Sequence, residues 1–214
     1  MRDRNAAARF GVVLYDGVEP IDLGGTVGVL SMATRIIPNI ESAIIADKAG
    51  PVRLAGGVVV EAPFGFADAP PCDMVVVCGG PGWPRAAQNP ALLAFLRARE
   101  PERLASVCTG AMILGRAGVL HGRSATTRRT RLGAEAQAPL ALLSDPANGV
   151  TALQAAIVDD GVVTGGGVSL AIDTTLYLIG KLYGVDARDE VAQIIEYDRA
   201  FKANRDVLGV IAPE

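Results

Sequence analysis

Cys108 has the most chemically suggestive surroundings in the chain. It closes a short apolar run, residues 104–107, and opens onto Thr109-Gly110-Ala111, the start of a stretch rich in small residues. A strand that turns sharply into a helix needs small residues at the bend, and it holds out the side chain at the bend on strained backbone. This is a nucleophile elbow, here carrying a thiol. The first turn of a helix stabilises negative charge, which predicts a thiolate and a Cys108 pKa below that of a free cysteine. The competing reading is a buried structural cysteine, since an unreactive thiol packs as a small hydrophobe.

A thiol nucleophile works with a group that takes and returns a proton, most often histidine. The chain has one histidine, His121, within residues 118–123 (GVLHGR), which read as a surface turn. Thr109, not histidine, follows Cys108, and multi-histidine metal sites are excluded outright. The remaining acid is Asp22, set between Ile21 and Leu23. A buried carboxyl there keeps its proton to higher pH and can pass it near neutrality. Its alternative role is a helix N-cap ahead of Gly24 and Gly25.

Gly79 and Gly80 open a GGPG turn after the apolar run 73–78. Glycines permit close backbone approach, so their N–H groups are candidates for an oxyanion hole beside Cys108. Gly110 in the elbow and Gly166 in the later run Gly165-Gly166-Gly167 complete the candidate pocket residues. That run lacks the Gly-Lys-Ser/Thr ending of a phosphate loop and instead serves helix packing or closes the pocket. Cys78 lines the pocket at most, and Cys72 is inert.

These side chains need a scaffold. Buried strands are expected at 9–15, 42–46, 73–78 and 104–107, with a hairpin-like excursion over 51–62. Helices are expected at 21–33, 90–99, 109–117, 168–183 and 186–197. Asp160-Gly161 marks a hairpin between strands 153–159 and 162–164. Residues 134–149, with Pro139 and Pro146, read as helix plus loop. Continuous apolar strands separated by helices imply an α/β fold with a mainly parallel sheet covered on both faces, with sites beyond the strands' C-terminal ends.

The 214 residues are the size of one domain, with its core at about 9–198 and a tail over 199–214. Half are hydrophobic and the net charge is −3, so the chain can bury a core and is no general nucleic-acid binder. The one basic cluster, Arg128, Arg129 and Arg131, reads as a solvated helix face. No apolar run reaches the length of a membrane span, and residues 1–10 lack a signal-peptide core, which points to the cytoplasm. Three cysteines argue against a disulfide scaffold.

Ile21-Asp22-Leu23, the VCGGPG segment 77–82, SVCTGA at 106–111, Ala125-Thr126-Thr127 and the segment from Asp160 through Gly165-Gly166-Gly167 to Asp173 occur in an order that resembles the ThiJ/PfpI superfamily. Cys108-Thr109 with Asp22 resembles its isonitrile hydratase branch. The resemblance implies a flavodoxin-like three-layer sandwich, a homodimer and a small-molecule substrate, with no metal or organic cofactor. It implies Cys108, Asp22 and Thr109 as the catalytic set: the thiol adds to an isonitrile, and Asp22 moves the protons that lead to a formamide. The chain departs from the branch at Gly24-Gly25-Thr26, at Gly28 and at Arg128-Arg129, which replaces a His-Trp pair. If that segment borders the pocket, the substrate shifts toward something anionic.

Three other readings compete. A cysteine amidase, protease or glyoxalase-like enzyme of the superfamily would carry Cys-His at the elbow, against Thr109. The sensor half of an AraC-type regulator would be followed by a DNA-binding region, and only about 17 residues follow Tyr197. A stress protein would use Cys108 as a redox group.

Overall fold

A computed structural model describes residues 1–212. The chain begins with β1 (Ala8–Val13), α1 (Pro20–Ala33), β2 (Ile40–Ala46), and the hairpin β3 (Gly50–Arg53) and β4 (Val59–Ala62). Next come β5 (Phe64–Gly65), β6 (Met74–Val77), α2 (Trp83–Ala86), α3 (Pro90–Arg97), β7 (Leu104–Ser106) and α4 (Gly110–Ala117). They are followed by β8 (Ser124–Ala125), α5 (Pro139–Leu143), β9 (Thr151–Ala152), β10 (Ile157–Asp159) and β11 (Val163–Gly165). The last elements are α6 (Leu170–Tyr183), α7 (Val185–Ile194), α8 (Asp198–Leu208) and β12 (Val210–Ile211).

Eight strands form one sheet in the order β12-β10-β11-β7-β6-β1-β2-β5. From β11 to β5 every pairing is parallel, and the one antiparallel pair is β10–β11. Successive side chains on a strand point to opposite faces, so a strand buried on both must be apolar at every position. Strand β6 obeys this throughout, and β1 does beyond Arg9. Phe10 and Val12 of β1 and Met74 and Val76 of β6 join the core beneath α1, α6 and α7, while Val13, Val75 and Val77 join the one beneath α3 and α4. The result is a three-layer, flavodoxin-like α/β sandwich. Gly25 lets α1 lie against α6, since a Cβ there would come 2.9 Å from Ala171 Cβ.

Two expectations need correction. The run 153–159 is not one strand: β9 pairs with β8 in a small separate ribbon, and only Ile157–Asp159 joins the main sheet. The Asp160-Gly161 hairpin is present, with Val162 as a third linking residue and Gly161 at φ 78°.

Residues 199–212 are not a tail. They form most of α8 and then β12, which adds a parallel edge strand to β10. Helix α8 is pinned to α6 by a buried carboxylate: Asp173 accepts from Tyr197 Oη at 2.9 Å and from Asn204 Nδ2 at 3.2 Å. Burial raises the Asp173 pKa to about 6, and these two donors pull against the shift. Asn204→Ala is expected to cost about 1–2 kcal/mol, the usual loss when a buried acceptor loses its donor. The cost falls mainly above pH 6, where Asp173 is charged. Urea midpoints at pH 8 and pH 5 test this, and equal losses at both would remove Asp173 from the account.

Candidate active site

Between β7 and α4 the backbone bends through Cys108 at φ 51°, in the left-handed region. For a residue with a Cβ this stores about 1–3 kcal/mol of strain, so surrounding contacts must impose it. They do. Cys108 N–H donates to Gly166 O at 2.9 Å, and Cys108 O accepts from Thr127 Oγ1 at 2.7 Å. Gly110 gives the bend its clearance, since a Cβ there would sit 2.0 Å from Val77 O at the end of β6. Cys108 is 3% exposed.

Asp22 lies in the first turn of α1, but the N-cap is Glu19, so the capping role does not apply. The Asp22 side chain is fully buried. Its Oδ2 accepts from Gly79 N–H at 2.8 Å, and Oδ1 has no regular hydrogen-bond partner. Thr109 Oγ1 accepts from Gly80 N–H at 2.9 Å. A Cβ on Gly79 would lie 2.4 Å from Thr109 N and 2.8 Å from Asp22 Oδ2. This turn therefore holds Asp22 and Thr109 side by side against the elbow. It also means that the Gly79 and Gly80 N–H groups are engaged there and are not free to form an oxyanion hole.

The donors that act on the sulfur are instead the backbone N–H groups of Thr109 and Val168. Val168 has φ 35°, unusual for a β-branched residue and a sign that its position is imposed. Sequence reasoning missed Val168. Only its place directly after three glycines could have pointed to it. Gly166, expected as a pocket residue, contributes its carbonyl to the elbow and borders a neighbouring cavity.

Burial lifts the Asp22 pKa to about 7, with Glu19 adding to the rise and Gly79 N–H, the Cys108 thiol and Arg128 opposing it. Burial lifts the Cys108 thiol to about 11, with the Asp22 charge adding. The N–H groups of Val168 and Thr109 and the Arg128 charge pull it down, but less. The expected depressed thiol pKa is thus overturned: desolvation outweighs the start of an eight-residue helix. Near neutrality the thiol keeps its proton, beside a carboxyl able to accept it.

Sequence reasoning also misplaced Arg128. Residues 126–138 form no helix, and Arg128 is 7% exposed, so the solvated helix face is wrong for it. Its guanidinium donates to Thr130 O and pairs with Glu135. Arg128 and the exposed Arg129 line a cavity of about 270 Å³ with Gln154, Val168, Ser169 and Asn204. His121 is exposed in a turn. Cys78 is buried, and its carbonyl accepts from Tyr15 Oη at 2.9 Å. Among the described residues no helix is long and apolar enough to cross a membrane.

The fold and this site together define a flavodoxin-like protein with a cysteine elbow and an adjacent buried carboxyl. The chain belongs to the DJ-1/PfpI family, whose model matches residues 8–181. It is 32% identical to the isonitrile hydratase of Pseudomonas putida over 194 residues, which is 89% of this chain and 79% of that one. It is 29% identical to the HTH-type transcriptional regulator GbdR of Pseudomonas aeruginosa, spanning 88% of this chain and half of that protein. The crystal structure of a ThiJ/PfpI family protein from Pseudomonas syringae superposes with a TM-score of 0.77 at 25% identity, covering 90% of this chain and 76% of that one.

Proposed function

We propose that the protein is an isonitrile hydratase-like lyase, with Cys108 as nucleophile, Asp22 as the proton carrier and Thr109 as a positioning group. One observation carries this reading: a buried carboxyl with one unpartnered oxygen converges on a strained cysteine elbow, while the one histidine lies exposed elsewhere. The likeness to the Pseudomonas putida enzyme supports it.

The chemistry follows from the shared proton. Ionised Asp22 takes the thiol proton as the sulfur adds to the terminal carbon of R–N≡C, then delivers that proton to the same carbon. The product is a thioimidate, R–N=CH–S–Cys108. Water adds across the C=N bond, its hydroxyl to carbon and its proton by way of Asp22 to nitrogen. The C–S bond then breaks, the hydroxyl proton passes to sulfur, and R–NH–CHO leaves. Thr109 orients the water through its hydroxyl, and the N–H groups of Thr109 and Val168 stabilise the sulfur as it gains charge.

The test is formamide formation from an alkyl or aryl isonitrile, followed by mass spectrometry with Cys108→Ser as control. Formamide from the wild type alone supports the reading, and formamide from both proteins, or from neither, counts against it. The pH profile adds a second check. With Asp22 at about 7, lowering the pH leaves the pair doubly protonated and without a base. So kcat/KM should rise with pH through about 7 and then level off, with the alkaline limb far above neutrality because the thiol lies at about 11. A flat profile between about pH 5.5 and 8.5 would remove Asp22 as the base.

A further inference from the structure

The cavity beside the elbow has two positive charges and no carboxylate in its lining among the described residues. Arg128 and Arg129 border it with the Gln154 amide, while the Asn204 amide N–H groups are spent on Asp173 and Tyr197. Its inner wall includes Gly166 and Val168, the same turn that receives Cys108 N–H and directs an N–H at the sulfur. Arg128 is part of that wall, its side chain packed against Gly167, where a Cβ would lie 3.1 Å from Arg128 Cγ. The cavity wall and the surroundings of the thiol thus share Gly166 and Val168.

A guanidinium this buried needs a negative partner. Arg128 has one, the carboxylate of Glu135, which comes from an irregular loop and is itself one-third exposed. Leu132 N–H also donates to Glu135, at 2.9 Å. Nothing else anchors that carboxylate among the described residues, so a carboxylate already occupies the receptor, supplied by a mobile-length side chain at the rim. Arg129 stands exposed beside it with no ion pair among the described residues.

We infer that this cavity receives a carboxylate on the substrate, held by Arg129 and by Arg128, with Glu135 displaced. The substrate class is then an electrophile bearing a carboxylate, and under the function proposed above an isonitrile carrying one. Arg128 gives one N–H to Glu135 and another to Thr130 O, so an incoming carboxylate that takes the Glu135 position swaps like for like. It also leaves the positive charge that opposes the rise in both the Asp22 and Cys108 pKa values in place.

Two alkylating agents of nearly equal size test this without requiring turnover: neutral iodoacetamide and anionic iodoacetate. Modification of Cys108 is followed by peptide mass spectrometry, and the iodoacetate-to-iodoacetamide rate ratio is compared with that of N-acetylcysteine. The wild type is expected to exceed the free thiol by about tenfold, the scale of one favourable ion pair in a partly desolvated site. Arg129→Gln, at an exposed position, should lose part of this preference and Arg128→Gln nearly all of it, while Glu135→Gln should strengthen it. Propionate should also slow iodoacetamide more than propionamide does in the wild type, so the test survives if Arg128→Gln does not fold. A wild-type ratio at or below that of the free thiol, or equal protection by propionate and propionamide, overturns the carboxylate receptor and leaves the hydratase reading standing. A Cys108 silent to both reagents takes down both.

Discussion

Asp22→Asn is expected to cut formamide turnover by about a thousandfold, within the range usual for loss of a positioned acid–base group, and to leave Cys108 open to alkylation. The same change should make the protein more stable above neutrality. The wild-type carboxyl binds its proton up to about pH 7 in the native state, against an ordinary value of 3.8 when free. Native protein therefore holds an extra proton between those values, and raising the pH across them costs stability. Three pH units correspond to a ceiling of about 4 kcal/mol, reached in full above pH 7. Asparagine has no charge to desolvate, and its Oδ1 can still accept from Gly79 N–H. Urea midpoints of the two proteins should converge toward pH 4 and diverge by pH 8, with the variant the more stable. Parallel curves would mean that Asp22 is not a strained acid. Such a trade of stability for a reactive group is the ordinary signature of a functional site.

The parts of the site that follow from local chain chemistry were legible in the sequence. A short apolar strand running into Thr109-Gly110-Ala111 announces an elbow, and Asp22 between two aliphatic residues announces a buried carboxyl. The parallel sheet was legible for the same reason, because residues 74–77 are apolar on both faces. What escaped depends on contacts distant in sequence. Burial decides the sign of the Cys108 shift, and no local pattern shows that α1, the 79–80 turn and Val168 all close over one sulfur. Arg128 looks like one of three surface cations until the fold turns it inward and leaves Arg129 outside. Helix α8 was hidden by its composition, since DRAFKANRDVL buries only Phe201, and its tie to the body is the polar contact of Asn204 with Asp173.

Glycine composition shows the same limit, and it gives a large stability effect for a single methyl group. The chain is rich in glycine, and nothing in the sequence separates those that clearance demands from those that it does not. At Gly110 an added Cβ would sit 2.0 Å from Val77 O and 2.9 Å from Val77 C, both backbone atoms of the central strand β6. Neither can rotate away, so the start of α4 would have to lift off the sheet and carry the elbow with it. Gly110→Ala is expected to cost about 3–5 kcal/mol, in the exceptional range that signals backbone overpacking. That is a large share of the 5–15 kcal/mol typical of a whole domain. Gly24 is the contrasting case. It lies within α1, is exposed, and has no neighbour within 4 Å of an added Cβ. Gly24→Ala should therefore stabilise by about 0.5–1 kcal/mol through helix propensity alone. Denaturant melts of the two variants beside the wild type decide the matter. Opposite signs would confirm that the elbow is held by steric clearance at Gly110. A mild loss at Gly110 would mean that the strand-to-helix bend has slack, and the strained Cys108 geometry would then need another source.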